Sequence, residues 1–98
     1  MKQFLRNWKK VDYYKITWKK SALKELKTLD KTVIGKILEK IEPLQNNPRP
    51  EGTKKLKGYN LLYRIRYGNY RIVYRIKDRE LIIEIIRVGH RKNISKRD

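Results

Sequence analysis

Apolar and polar positions follow two rhythms along the chain. Between Tyr13 and Trp18, Tyr14, Ile16 and Trp18 share one side while Tyr13, Lys15 and Thr17 share the other. This period of two predicts a strand. In the following SALKELKTL, Ala22, Leu23, Leu26 and Leu29 recur at helical spacing, and Ser21 stands where a cap is expected. A second helix is predicted from Lys31 to Leu44, capped by Asp30, with Val33, Ile34, Ile37, Leu38, Ile41 and Leu44 as its apolar stripe. The break between them is short, so the two helices are expected to form an antiparallel hairpin. Gly35 costs the second helix roughly 1 kcal/mol relative to Ala, and close packing against the first helix is one way to offset it.

From Asn46 to Asn60 the rhythm stops. Pro48, Pro50 and Gly52 come first, then Lys54, Lys55 and Lys57. A connection this long is uncommon in a small domain, and long loops are often functional. Strand alternation then resumes from Leu61 to Tyr67, from Tyr70 to Lys77 and from Leu81 to Val88, the first two flanking Gly68-Asn69, a hairpin signal. The order is β-α-α-β-β-β. The expected architecture is an α+β single domain with a three-stranded antiparallel meander and both helices packed on one face of an antiparallel sheet. Residues 1–12 form an extension to this domain of residues 13–98. In it Phe4, Leu5, Trp8 and Val11 suit either one face of a short amphipathic helix or a flexible arm.

The two sheet faces differ in chemistry, because side chains alternate across a strand. The hairpin turn sets Tyr67 opposite Tyr70, Arg66 opposite Arg71 and Ile65 opposite Ile72. A four-residue turn then sets Ile76 opposite Leu81 and Val73 opposite Glu84. One face collects Tyr63, Ile65, Ile72, Tyr74, Ile76, Leu81, Ile83 and Ile85 and must meet the helices. The other collects Leu62, Arg64, Arg66, Arg71, Val73, Arg75, Ile82, Glu84 and Ile86. Like charges directly opposite on a sheet repel, which a neutral scaffold has no reason to keep. An arginine fork that binds phosphate or carboxylate with two hydrogen bonds does. The plain alternative is a wet outer face, with Glu84 pairing one of the arginines.

Composition sharpens this choice. Lys and Arg total 27 and Asp and Glu 10 among 98 residues, a formal net charge of +17. Such a protein attracts polyanions, of which nucleic acid is the first candidate and an acidic protein the second. The chain has no cysteine and a single histidine, His90. Disulfides, thiolate metal sites and multi-histidine metal sites are therefore excluded. No apolar run approaches the roughly 20 residues that cross a bilayer, and the first residues have no secretory apolar core. The expected location is the cytoplasm, with no membrane partner.

The stretch KKLKGYNLLYRIRYGNYRIVYRI and the later IIRVGHRKNI, read with the preceding ALKELKTL helix, resemble the RelE/ParE toxin superfamily, and its RelE branch in particular. The resemblance spans roughly Tyr13 to Ile94 and rests on the order and spacing of several short motifs. It implies the toxin of a type II toxin–antitoxin system, a ribosome-dependent endoribonuclease that cuts mRNA in the A site. The ribose 2′-OH attacks the adjacent phosphate, leaving a 2′,3′-cyclic phosphate and a 5′-OH, with no metal or other cofactor. It also implies an acidic cognate antitoxin as partner. By the same resemblance Arg64, Arg66, Arg71 and Arg91 bind the scissile phosphate.

Two departures from the family stand out. Some members carry lysines at the positions of Arg64 and Arg66, and an arginine does not lose its proton at usable pH. Many carry a tyrosine near the position of Ser95. His90 directly precedes Arg91 at the edge of the basic face, and its ordinary pKa lies near neutrality, so it is the candidate proton acceptor. Lys54, Lys55 and Lys57 in the long loop, and Arg75 on the sheet, are candidate RNA contacts. Two other readings remain open: a ParE-like DNA gyrase inhibitor, and an RNA- or ribosome-binding module with weak or no catalysis.

Overall fold

The structure is a computed structural model that describes residues 14–56, 58 and 62–90. In order, the elements are β1 (Lys15–Trp18), α1 (Lys20–Lys27), α2 (Lys31–Ile41), a 3₁₀ turn (Glu42–Gln45), β2 (Lys54–Lys55), β3 (Leu62–Tyr67), β4 (Tyr70–Lys77) and β5 (Ile82–His90). The α+β architecture is as expected. The sheet, however, has five strands in the order β1-β5-β4-β3-β2 and is mixed. β1 runs parallel to β5, with Ile16 opposite Ile83 and Trp18 opposite Ile85, which corrects the expectation of a wholly antiparallel sheet. The two helices intervene between these strands, so the chain re-enters the sheet beside β5 without a tight turn to force an antiparallel pair. β2 is the other departure: inside the predicted loop, Lys54 and Lys55 pair antiparallel with Arg64 and Tyr63.

Both helices lie on one sheet face, and the core fills the space between. Ala22 and Leu26 of α1, Ile37 and Ile41 of α2, and Leu44 of the 3₁₀ turn meet Ile65, Ile72, Tyr74, Ile76, Ile83, Ile85 and Val88. Contact between the helices themselves is slight, and α1 packs chiefly on β5. This leaves part of each predicted stripe outside: Leu23 and Leu38 are exposed. It also removes the expected role of Gly35, since a Cβ there would meet nothing within 4 Å. Asp30 is the N-cap residue of α2, although its side chain makes no capping bond. Ser21 is not a cap, because α1 starts one residue earlier and Lys19 takes that position.

The β3–β4 hairpin follows the predicted register, Arg66 facing Arg71 around a turn in which Gly68 adopts a left-handed φ of 55°. The next connection holds four residues but begins one later than expected. Lys77 pairs with Ile82, Ile76 with Ile83 and Arg75 with Glu84, correcting the predicted Ile76–Leu81 and Val73–Glu84 pairs. Leu81 therefore sits in the turn, exposed and at a φ of 57°, and not in the core. Further along β5 the register slips, so that Tyr74 faces Ile85 while Val73 faces Arg87. Ile86 is the extra residue of a β-bulge. Beyond it the alternation is reversed: Val88 joins the core at 1% exposure, Gly89 faces Arg71 and His90 faces Tyr70.

Candidate functional site

The outer sheet face carries the basic residues in adjacent cross-strand rows. The first row is Leu62, Arg75 and Glu84, the second Lys54, Arg64, Val73 and Arg87, and the third Arg66, Arg71 and Gly89. The strands make this grouping unavoidable. Tyr63, Ile65, Ile72 and Tyr74 must face the helices, so the residues between them must face away. The structure thus brings Arg64, Arg66 and Arg71 together with Lys54 at one end of the face. Lys57 and Arg91, also expected at the site, lie outside the described residues, as do the extension of residues 1–12 and Ser95.

The face is not a uniformly wet surface. Leu56, arriving just after β2, is held by the hydrogen bond its N–H donates to the Leu62 carbonyl (3.0 Å). It packs with Val73, Leu62 and Ile86 into a second, small apolar cluster on this side of the sheet. Arg64 is 7% exposed and Arg71 9%, whereas Arg66 is exposed. Arg64 makes no ion pair among the described residues, and its Nε is buried without a hydrogen-bond partner there. Burial, and then the nearby charge of Arg66, push the Arg64 pKa below its ordinary value. A sheet that holds a guanidinium partly out of water beside a second cation keeps it short of a counter-charge. A phosphate supplies that charge with the geometry a guanidinium fork prefers. Such preorganised donors also stabilise negative charge that grows during a reaction.

The other predicted residues are placed differently. Arg75 is held by Glu84 at 3.4 Å, with Lys77 at 3.9 Å from the same carboxylate, so its charge is largely answered within the protein. Lys55 pairs across from Tyr63 and so points to the opposite side from Lys54. His90 does not stand at the edge of the basic face. The bulge at Ile86 turns it to the helix side, where its ring meets Tyr70 edge-on at 5.5 Å. Among the described residues no group of three or more His, Cys, Asp or Glu side chains could hold a metal ion, and no helix is long and apolar enough to cross a membrane.

Sequence reasoning missed two polar assemblies. Glu25 of α1 accepts the Val88 amide (2.9 Å) and the Arg87 guanidinium (3.0 Å) at the edge of β5 beyond the end of β1. This contact has no sequence signal, since it depends on the bulge. At the far end of the sheet, Arg49 donates to Asp78 (2.9 Å) and to the Tyr63 hydroxyl (3.3 Å), and Tyr14 donates to the same Asp78 (2.7 Å). Tyr74 donates to the Pro48 carbonyl (2.6 Å). Together they tie the residues before β2 to the sheet. The bonds from Arg49 and Tyr14 hold the Asp78 carboxyl below its ordinary pKa, and burial raises that of Tyr74.

An α+β domain whose outer sheet face concentrates guanidinium groups falls in the class of small, strongly basic proteins, whose field attracts polyanions. Comparison with known proteins narrows the class. The family model described as the ParE toxin of type II toxin-antitoxin system, parDE, matches residues 16–94. The mRNA interferase toxin RelE of Escherichia coli K12 is 33% identical over 81% of this chain and 84% of its own length. Toxin RelE3 of Methanocaldococcus jannaschii is 38% identical over 82% of this chain and 93% of its own length. The crystal structure of the intact E. coli RelBE toxin-antitoxin complex contains a chain that superposes with a TM-score of 0.71 at 32% identity, covering 79% of this chain and 95% of that one. The chain belongs to the RelE/ParE superfamily, as a RelE-like toxin of type II toxin–antitoxin systems.

Proposed function

We propose that this toxin is a ribosome-dependent endoribonuclease that cleaves mRNA in the A site. The observation that carries the reading is the facing pair Arg66–Arg71 with the buried Arg64 beside it on the same face. A phosphodiester in that row meets guanidinium forks from two strands. The 2′-OH gives up its proton to solvent as its oxygen attacks phosphorus, the bond to the 5′-oxygen breaks as that oxygen takes a proton from solvent, and the products are a 2′,3′-cyclic phosphate and a 5′-OH. Arg64, Arg66 and Arg71, joined by Arg91, neutralise the phosphorane as its charge rises. Lys54 extends the positive surface along the RNA backbone, Arg75 lies further along the same face, and Lys57 is a further candidate RNA contact. The reaction balances without a metal or other cofactor. The proposal gives His90 no proton transfer, because its ring lies on the opposite side of the sheet from the arginines.

The mRNA interferase names of the Escherichia coli K12 and Shigella flexneri relatives support nuclease chemistry over the alternatives. The family model's ParE description favours a second reading, inhibition of DNA gyrase. The partner in either case is an acidic antitoxin that complements the +17 charge; E. coli RelE is itself seen with its antitoxin. Comparing Arg71→Ala with wild type in cell toxicity and in ribosome affinity separates the readings. A nuclease loses toxicity by roughly 100-fold or more while ribosome affinity falls only a few-fold, since one phosphate contact among many is lost. Toxicity and ribosome affinity falling together and modestly would indicate binding without chemistry. Toxicity that is unchanged, with purified gyrase inhibited, would replace the nuclease reading.

A further inference from the structure

β1 ends opposite Ile85, but β5 continues to His90. Along that stretch the outer edge of β5 faces α1 and, among the described residues, no strand, and Glu25 occupies part of it through Val88 and Arg87. Beside Glu25 the space between α1 and the end of β5 opens into a cleft of about 350 Å³, whose lining includes Lys24, Leu29, Tyr70, Arg87, Gly89 and His90. Gly89 belongs to two places at once. It is the cross-strand partner of Arg71 on the basic face, and it also lines this cleft. Gly89 puts no side chain between the Arg66–Arg71 row and the cleft, so the path from one to the other runs over the β5 main chain at its outer edge. The step from Arg71 to Gly89 is one strand spacing, about 5 Å.

We propose that this cleft is a nucleobase subsite: it receives the base of a single-stranded RNA nucleotide adjacent to the phosphate bound at Arg66 and Arg71. The inference rests on the RNA-cleaving reading given above. The chemistry of the lining suits a base. Single-stranded RNA is recognised by bases splayed out and stacked on aromatic side chains, and here Tyr70 and His90 bring two rings together at 75° to each other. Leu29 supplies an apolar wall, while Lys24 and Arg87 keep the approach positive for the attached backbone. The volume lies at the small end of ligand pockets and accommodates a base. The bulge at Ile86 is what makes the site, since it turns His90 into the cleft side and sets Gly89 beside Arg71.

The test uses the full chain with ribosomes programmed with an mRNA carrying a 2′-deoxy nucleotide at the mapped cleavage position, which blocks the attack. Binding is measured for intact RNA and for RNAs made abasic at each neighbouring position. For wild type, one abasic position is expected to weaken binding roughly 5- to 100-fold, the range for loss of a stacked base. His90→Ala is expected to lose a similar factor on intact RNA and to become indifferent to the abasic change. Thr28→Trp, which fills the cleft from the exposed residue capping the end of α1, should reproduce that behaviour with the core intact. Equal sensitivity to the abasic change in wild type and both variants would overturn the subsite. So would wild-type indifference to every abasic position alongside normal cleavage, with the nuclease reading left standing. Absence of cleavage by the wild type on unmodified RNA would remove both.

Discussion

Under the proposed function, Arg64 concentrates the conflict between folding and catalysis in one side chain. It is buried on a strand, faces Lys54 and Val73 across the sheet, and lies near Arg66, so the fold would be better served by an apolar residue. Arg64→Met is expected to raise stability by about 1 kcal/mol, or about 4–8 °C in melting temperature for a domain of this size, while lowering RNA cleavage by roughly 100-fold. Thermal unfolding by circular dichroism and a cleavage assay on the same preparation check both halves. If the substitution destabilised the fold, Arg64 would be a structural residue. Gly35 provides a contrast without functional cost. It is exposed within α2 and a methyl group there meets nothing, so Gly35→Ala should add about 1 kcal/mol through helix propensity alone, with cleavage unchanged.

At the scale of elements, the segment before β2 is held by side chains and not by repeating structure. Arg49, Tyr14 and Tyr63 gather around Asp78, and Tyr74 holds Pro48. The Asp78 pKa is lowered in the folded state, first by the Arg49 bond and then by that from Tyr14. A depressed carboxyl stabilises the fold above its unfolded pKa, and that contribution is lost as pH falls through the folded value. Wild type should therefore be more stable than Asp78→Asn at neutral pH, with the gap closing below about pH 4. Melting curves of both proteins from pH 7 to pH 2 measure it, and a gap independent of pH would mean the charge on Asp78 plays no part.

The same scale separates what the sequence made legible from what it did not. Period-two patterning located β3, β4 and most of β5, and the Gly68-Asn69 turn fixed the facing of Arg66 and Arg71, because local rules govern both. The parallel pairing of β1 was hidden, since strand direction is set by a long-range connection and not by the four residues of the strand. β2 was hidden because two exposed lysines carry no apolar pattern. The bulge was hidden because IIEIIRV is apolar on both phases around Ile86, so one extra residue leaves no gap in the pattern. That single residue is why His90 was expected beside the arginines and lies on the other side.

For the whole molecule, charge decides more than shape. A net +17 spread over a small domain gives long-range attraction to polyanions, and under the proposed function the basic face then selects phosphate at close range. The fold contributes rigidity: the apolar core on the helix side and the small cluster around Leu56 and Val73 leave the arginine-bearing strands little freedom to relax away from one another. The most direct measurement is primer extension on a defined mRNA translated by purified ribosomes, with wild-type protein and with Arg71→Ala. Cuts at A-site codons that appear with wild type and vanish with Arg71→Ala are the expected result. No cuts with wild type, at a concentration where it demonstrably occupies ribosomes, would contradict the assignment of this sheet face to phosphodiester cleavage.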